Sequence, residues 1–153
     1  MPSSTSVSEL TEHVGFWLRY VSNHVSLAFA RKVEAHGVTV AEWVLLRQLV
    51  DIDALAPSRL AERMGMTRGA ISKLSERLIA KALVRRMDDR SDRRAHTLSL
   101  TPAGRALVPK LAALADANDA QFFDHLTSKE RATLLRLLKG VVEKRGLTRV
   151  PVD

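Results

Sequence analysis

SRLAERMGMTRGAISKLSERLIAKALVRRMDDRSDRRAHTLSLTPAG, residues 58 to 104, is the stretch whose pattern decides the fold. Ser58 to Met64 predicts a short helix with Leu60, Ala61 and Met64 inward, and Gly65 supplies the turn that ends it. Thr67 is placed to cap the next helix. In that helix Ala70, Ile71, Leu74 and Leu78 fall on one stripe, whereas Arg68, Gly69, Ser72, Lys73, Glu76 and Arg77 occupy the opposite face. Two helices joined by a short glycine-containing turn, the second with a polar outer face, make a helix-turn-helix pattern. After Lys81, Leu83 to Met87 and His96 to Leu100 read as strands, the second alternating polar and apolar. Asp88 to Arg94 between them is wholly polar, so the two strands form a hairpin, a wing with a charged tip.

The charge of the chain lies in the same stretch. The 153 residues carry 24 Lys and Arg against 17 Asp and Glu, a formal net charge of +7. Between Ser58 and Arg105 there are twelve basic and five acidic residues, so this segment alone accounts for +7 and the flanks together are neutral. A surplus confined to one segment implies an anionic partner there, which a diffuse surplus would not.

Working outward, Ser6 with Glu9 has the spacing of a capping box, and Leu10, Val14, Leu18, Val21, Val25 and Ala28 recur every three or four positions. One long amphipathic helix is expected from residue 6 to about Ala35, with Gly37 beyond its end. Thr39 with Glu42 opens a second helix to about Val50, and Asp51 to Pro57 is expected to be a connector. Beyond the wing, Thr101-Pro102 starts a helix to about Phe123, and Thr127 with Glu130 starts a last one, ending near Gly146. The fold class that follows is mainly α with a small β-wing: a winged helix-turn-helix over residues 38–101, flanked by helices at 6–35 and 102–147, with tails at 1–5 and 148–153. A helix as long as the first cannot bury its whole stripe on so small a domain, so the terminal helices are expected to form a homodimer.

A DNA major groove about 12 Å wide accepts one α-helix, whose first turns read base edges. Thr67, Arg68, Gly69, Ser72 and Lys73 are the residues expected there, with Arg68 able to donate bidentately to a guanine and Gly69 allowing close approach of the backbone. Ser58, Arg77, Lys81, Arg90 and Arg93 are expected on the phosphate backbone. At the wing tip, a narrow and electronegative minor groove attracts an arginine, and Asp92 positioning Arg94 is the expected pair.

LAERMGMTRGAISKLSERL and DDRSDRRAHTLSLTPAG together resemble the winged helix-turn-helix of the MarR (multiple antibiotic resistance regulator) family, and the flanking helices suit it as well. The resemblance implies a homodimeric transcriptional regulator, expected to be a repressor, with interlocked terminal helices, the helix from Thr67 in the major groove and Arg94 in the minor groove. Arg90 stands at a wing position where the family often has proline, and adds a phosphate-binding candidate. A two-fold dimer sets its reading helices roughly 34 to 36 Å apart, so the operator is expected to be an inverted repeat of double-stranded DNA.

The resemblance also suggests a small aromatic or anionic effector. His13, Trp17, Tyr20 and His24 share one helical stripe, and with Trp43 and Arg47 they are the candidate lining of its pocket. The other reading of that stripe is packing within a dimer interface, where Trp and Tyr are enriched. No cysteine is present, which excludes disulfides, thiol catalysis and thiol redox sensing, and the five scattered histidines favour no metal site. No cofactor is expected, nor an enzyme, since His96 has no acid-plus-nucleophile partners nearby and no Gly-rich phosphate loop occurs. A winged helix that binds protein, or a regulator of DNA without an effector, are the alternatives. Nothing resembles a signal peptide or membrane span, and a cytoplasmic protein is expected.

Overall fold

The structure, a computed structural model, describes residues 6–88 and 96–152. Six α-helices and one hairpin follow in the order α1 (Val14–Glu34), α2 (Val40–Gln48), α3 (Pro57–Met64), α4 (Arg68–Ala80), β1 (Val84–Asp88), β2 (His96–Leu100), α5 (Pro102–Phe123) and α6 (Ser128–Arg145). The strands pair antiparallel, from Val84 opposite Leu100 to Asp88 opposite His96. Leu55 adds an isolated antiparallel bridge to Leu98, with both N–H···O bonds at 2.9 Å. The segment expected to be a connector therefore also pairs with the wing, at the middle of β2.

The core is built where the period-3.6 stripes converge. Leu45 and Leu46 of α2, Leu49 just beyond its end, Leu60 and Met64 of α3, and Ile71, Leu74 and Leu78 of α4 are buried together with Val84, Leu98, Leu100, Val108 and Leu111. Each such side chain contributes about 1.5–3 kcal/mol on leaving water. Only the C-terminal half of α1 joins this core, through Phe29 and Val33. No residue of α6 is buried.

Local chemistry explains most boundaries. Thr39, Thr67, Thr101 and Thr127 each accept a backbone N–H three residues on, and the Thr39/Glu42 and Thr127/Glu130 boxes are reciprocal. Gly104 is required for a different reason, because a Cβ there would lie 2.0 Å from the Leu83 carbonyl oxygen. It lets α5 start directly against the residue that precedes the wing.

The first helix begins later than its sequence pattern predicts. Ser6 to Ser8 are not helical, Leu10–Glu12 form a 3₁₀ turn, and α1 starts at Val14. Glu12 accepts from the Glu9 N–H at 2.7 Å, so Glu9 closes its box with Glu12 rather than with Ser6. His13 is extended (φ −92°, ψ 126°), which breaks the helix, and the Trp17 indole holds the preceding turn by donating to the Thr11 carbonyl at 3.0 Å. Smaller shifts are one or two residues: α2 stops at Gln48, α3 starts at Pro57, and β1 spans Val84–Asp88. Residues 148–152 are not a free tail. Arg149 and Thr148 pack beside Gly65, and Val152 packs against the core. No helix among the described residues is long and apolar enough to cross a membrane.

Candidate nucleic-acid interface

Helix α4 has one face in the core and the other in solvent. Ile71, Leu74, Ser75 and Leu78 are buried, and the Ser75 hydroxyl donates to the Ile71 carbonyl at 2.7 Å, satisfying a polar group that periodicity alone does not explain. Thr67, Arg68, Gly69, Ser72, Lys73, Glu76 and Arg77 are all exposed. Thr67 accepts the Ala70 N–H at 3.1 Å and so caps the end of the helix that a groove would meet first. A Cβ on Gly69 would meet nothing within 4 Å, so the chain's own packing does not demand glycine there. A glycine inside a helix costs about 1 kcal/mol relative to alanine, which leaves close approach of another molecule as a physical reason for it.

The turn before α4 rests on Gly65, whose φ of +61° is left-handed backbone. Ser58 occupies the first turn of α3, where helix N–H groups point out of the end. Among the described residues Arg68, Lys73 and Arg77 form no salt bridge, whereas Arg59 pairs with Glu62 at 3.5 Å. Arg105 donates to the Val50 carbonyl at 3.2 Å. Arg85 and Arg86 on β1 are exposed, and Arg85 donates to Ser99 across the hairpin at 3.2 Å. Sequence reasoning counted these two in the charge of the segment but gave them no role. Arg90, Asp92, Arg93 and Arg94 lie outside the described residues.

The ammonium of Lys81, expected on the phosphate backbone, is engaged within the chain: it donates to both carboxylate oxygens of Glu42 at 2.7 and 3.0 Å and to the Gly37 carbonyl at 2.8 Å. Glu42 is 1% exposed, so the C-terminal end of α4 is tied to a buried anion at the start of α2. Nothing in the spacing of two residues 39 apart announced this pair.

The six residues expected around an effector are not brought together. His13 precedes α1 and is exposed, and Arg47 pairs with Asp51 at 3.1 Å. Trp17 lies on an open groove with Leu18, Leu134 and Leu138. Tyr20 and His24 stack at 5.2 Å and line another depression with Phe122, Phe123 and His125. Trp43 alone lines a cavity of about 300 Å³ among α1, α2 and α5, with Phe29, Val40, Val44, Asn118 and Asp119. The stripe is not gathered into one pocket because Trp17, Tyr20 and His24 face the ends of α5 and α6, and α1 lines the cavity beside α2 only from Val25 onward. Phe29 and Asn118 were missed for the same reason: both read as ordinary helix positions until α1 and α5 are packed.

Comparison with known proteins agrees with this geometry. A model of the MarR family matches residues 36–95. A Thauera aromatica protein described as a transcriptional regulatory protein for the hcr operon is 30% identical over 144 residues, covering 90% of this chain and 87% of its own. The transcriptional repressor MdtR of Bacillus subtilis is 29% identical over 125 residues, covering 82% and 81%. Among solved structures, Bordetella bronchiseptica BpsR, whose DNA binding is regulated by 6-hydroxynicotinic acid, superposes with a TM-score of 0.77 at 27% identity, covering 89% of this chain and 97% of BpsR. With a capped, basic reading helix, a hairpin wing and a relative this similar over nearly its whole length, the chain belongs to the MarR family and is a DNA-binding transcriptional regulator, not an enzyme.

Proposed function

We propose that the protein is a homodimeric repressor that binds an inverted-repeat operator and is released by a small effector. The observation that carries the reading is the exposed face of α4, where Arg68, Ser72 and Lys73 stand on a buried seat of Ile71, Leu74 and Leu78. In this reading Arg68, Ser72 and Lys73 contact base edges, with Thr67 and Gly69 at the entering end. Ser58 and Arg77 contact phosphates, joined by Arg85 and Arg86. Arg94, held by Asp92, enters the minor groove, and Arg90 and Arg93 add phosphate contacts. Residues 38–101 form the DNA-binding unit, and α1, α5 and α6 the dimer. The repressor MdtR supports the direction of regulation and BpsR supports a small-molecule signal. A cytoplasmic location accords with that role.

The test compares two arginines on one face. Arg68→Ala is expected to weaken the specific operator by about 1–3 kcal/mol and relax base preference at one position. Arg77→Ala is expected to weaken specific and random DNA alike and to reduce the slope of log K against log salt by about 1. Fluorescence anisotropy on both DNAs across a salt series measures this, and equal behaviour of the two variants refutes the assignment.

A further inference from the structure

Glu42 is a buried acid that its place in a helix cap does not explain. The boxes Glu9/Glu12, Thr39/Glu42 and Thr127/Glu130 are alike in their bonds, each with a glutamate reaching back to the backbone N–H of the capping residue. Glu12 and Glu130 are exposed, whereas Glu42 is 1% exposed. A capping box needs only an acceptor at this position, which glutamine supplies as well as glutamate. The negative charge of Glu42 is therefore surplus to its cap, and it is held where loss of water makes it costly.

What meets the charge is Lys81, the residue that ends α4. An ammonium has three N–H donors and no acceptor, and here three oxygens stand within 3.0 Å of it, two from Glu42 and one from Gly37. Its place is thus set by three directed, charge-assisted bonds. Gly37 (φ +79°) follows the end of α1, and Glu42 sits in the first turn of α2. One side chain ties the end of the reading helix to both. The burial of Ile71, Leu74 and Leu78 decides which face of α4 is inward, but apolar burial is non-directional. The bonds at Lys81 fix where the helix ends.

The next residue is held as firmly. Ala82 has φ +57°, a left-handed conformation that a residue with a side chain adopts only at a cost and keeps only where its surroundings impose it. Its carbonyl accepts from the Thr101 hydroxyl at 2.7 Å. Strand β1 starts at Val84, so the same joint sets how the wing leaves α4.

A buried ion pair is seldom more stabilising than apolar residues of the same size, and its best-attested use is to specify one arrangement. We propose that Lys81 is a positioning residue for DNA recognition: clamped by Glu42 and Gly37, it fixes the tilt of α4 against α1 and so the separation of the two reading helices in the dimer. The inference rests on the reading of the protein as a dimer that binds paired half-sites.

The chain has no cysteine, so Glu76→Cys on the exposed face of α4 carries one spin label per protomer. Distances between the two labels are measured by double electron–electron resonance on the full-length protein, with urea midpoints in parallel. Glu42→Gln combined with Lys81→Met removes both charges and keeps the capping acceptor. This double variant is expected to keep a midpoint close to that of the parent, while its distance distribution broadens at least about twofold. Val108→Ala, a core substitution in α5, is expected to lower the midpoint and leave the width as it is. The second readout uses an operator selected from random duplexes by the wild-type protein. One base pair inserted between its half-sites turns them by roughly 35°, and is expected to cost the wild type about tenfold in affinity and the double variant less than about threefold. An equally narrow distribution or an equal penalty in the double variant overturns the clamp and leaves the dimer standing. Equal broadening in Val108→Ala assigns the effect to lost stability and also overturns it. A wild type that gives no distance between labels, or is indifferent to the insertion, overturns the dimeric reading and the inference with it.

Discussion

The ammonium of Lys81 is enclosed by three oxygens, two from Glu42 and one from Gly37, while Arg77 one turn earlier has no ion pair among the described residues. Both are basic residues near the end of the same helix, yet they do different work. Removing one partner of a buried ion pair leaves a charge without compensation, which is destabilising by 3–5 kcal/mol when both groups are deep, as a general rule. Lys81 is 39% exposed, so solvent compensates part of the loss. Lys81→Ala is therefore expected to lower stability by about 2 kcal/mol, as a fall in the urea midpoint with an unchanged slope. A Lys81 variant with full stability and a weakened, salt-dependent DNA affinity refutes the structural role and restores the phosphate contact. Charge counting cannot tell the two lysine roles apart, because the Glu42 carboxylate is 39 residues away in sequence and meets Lys81 only once α2 and α4 pack.

At the scale of elements, threonine caps carry much of the information that local sequence holds. Four helices start where a threonine side chain accepts an N–H three residues on, and these boundaries are legible in the sequence because a cap is a contact between near neighbours. Where two caps overlap, local sequence is ambiguous. Glu9 can serve Ser6 as the end of one box or Glu12 as the start of another, and the extended His13 decides for the second. The aromatic stripe fails differently: i, i+4 and i+7 spacing states that residues share a helix face but not what that face meets. The α6 cap gives a pH prediction. The Thr127 backbone N–H donates to Glu130 Oε1 at 3.0 Å and the threonine side chain adds a second favourable interaction, and together they hold the Glu130 carboxyl below the usual carboxylate range. A depressed folded-state pKa contributes stability that is present above the ordinary glutamate pKa and lost as pH falls through the folded one. Amide exchange in the first turn of α6 is expected to accelerate as pH falls through and below the ordinary glutamate range, after correction for intrinsic rates. Glu130→Gln is expected to remove that acid dependence, and an unchanged profile in the variant refutes the assignment.

On the whole molecule, the two ends of the fold differ in how their apolar surface is covered. The winged unit buries its leucines, but α6 exposes Leu134, Leu135, Leu138, Val141 and Val142, each at least 36% accessible, and α1 exposes Val14, Trp17, Leu18 and Val21. Leu134, Leu138, Leu18 and Val21 line one groove, so the two faces form a continuous apolar surface. Surfaces of this kind on a folded chain mark an interface, and in the proposed dimer a second copy supplies the same surface in the reverse sense, as two-fold symmetry requires. The protein is expected to sediment at twice its 17.0 kDa at micromolar concentration. Leu138→Glu, which sets a carboxylate into the groove, is expected to produce a monomer with its helical content retained. The proposed dimer would also set what the DNA must look like, because two reading heads on one rigid body accept only half-sites that face the same side of the duplex. Inserting about five base pairs between the half-sites turns one of them to the far side, and is expected to reduce affinity to that of a single half-site. Leu138→Glu is expected to bind the native and the lengthened operator equally, because a monomer does not sense spacing. A wild-type protein indifferent to the insertion, or a Leu138→Glu variant that remains a dimer, refutes the paired arrangement.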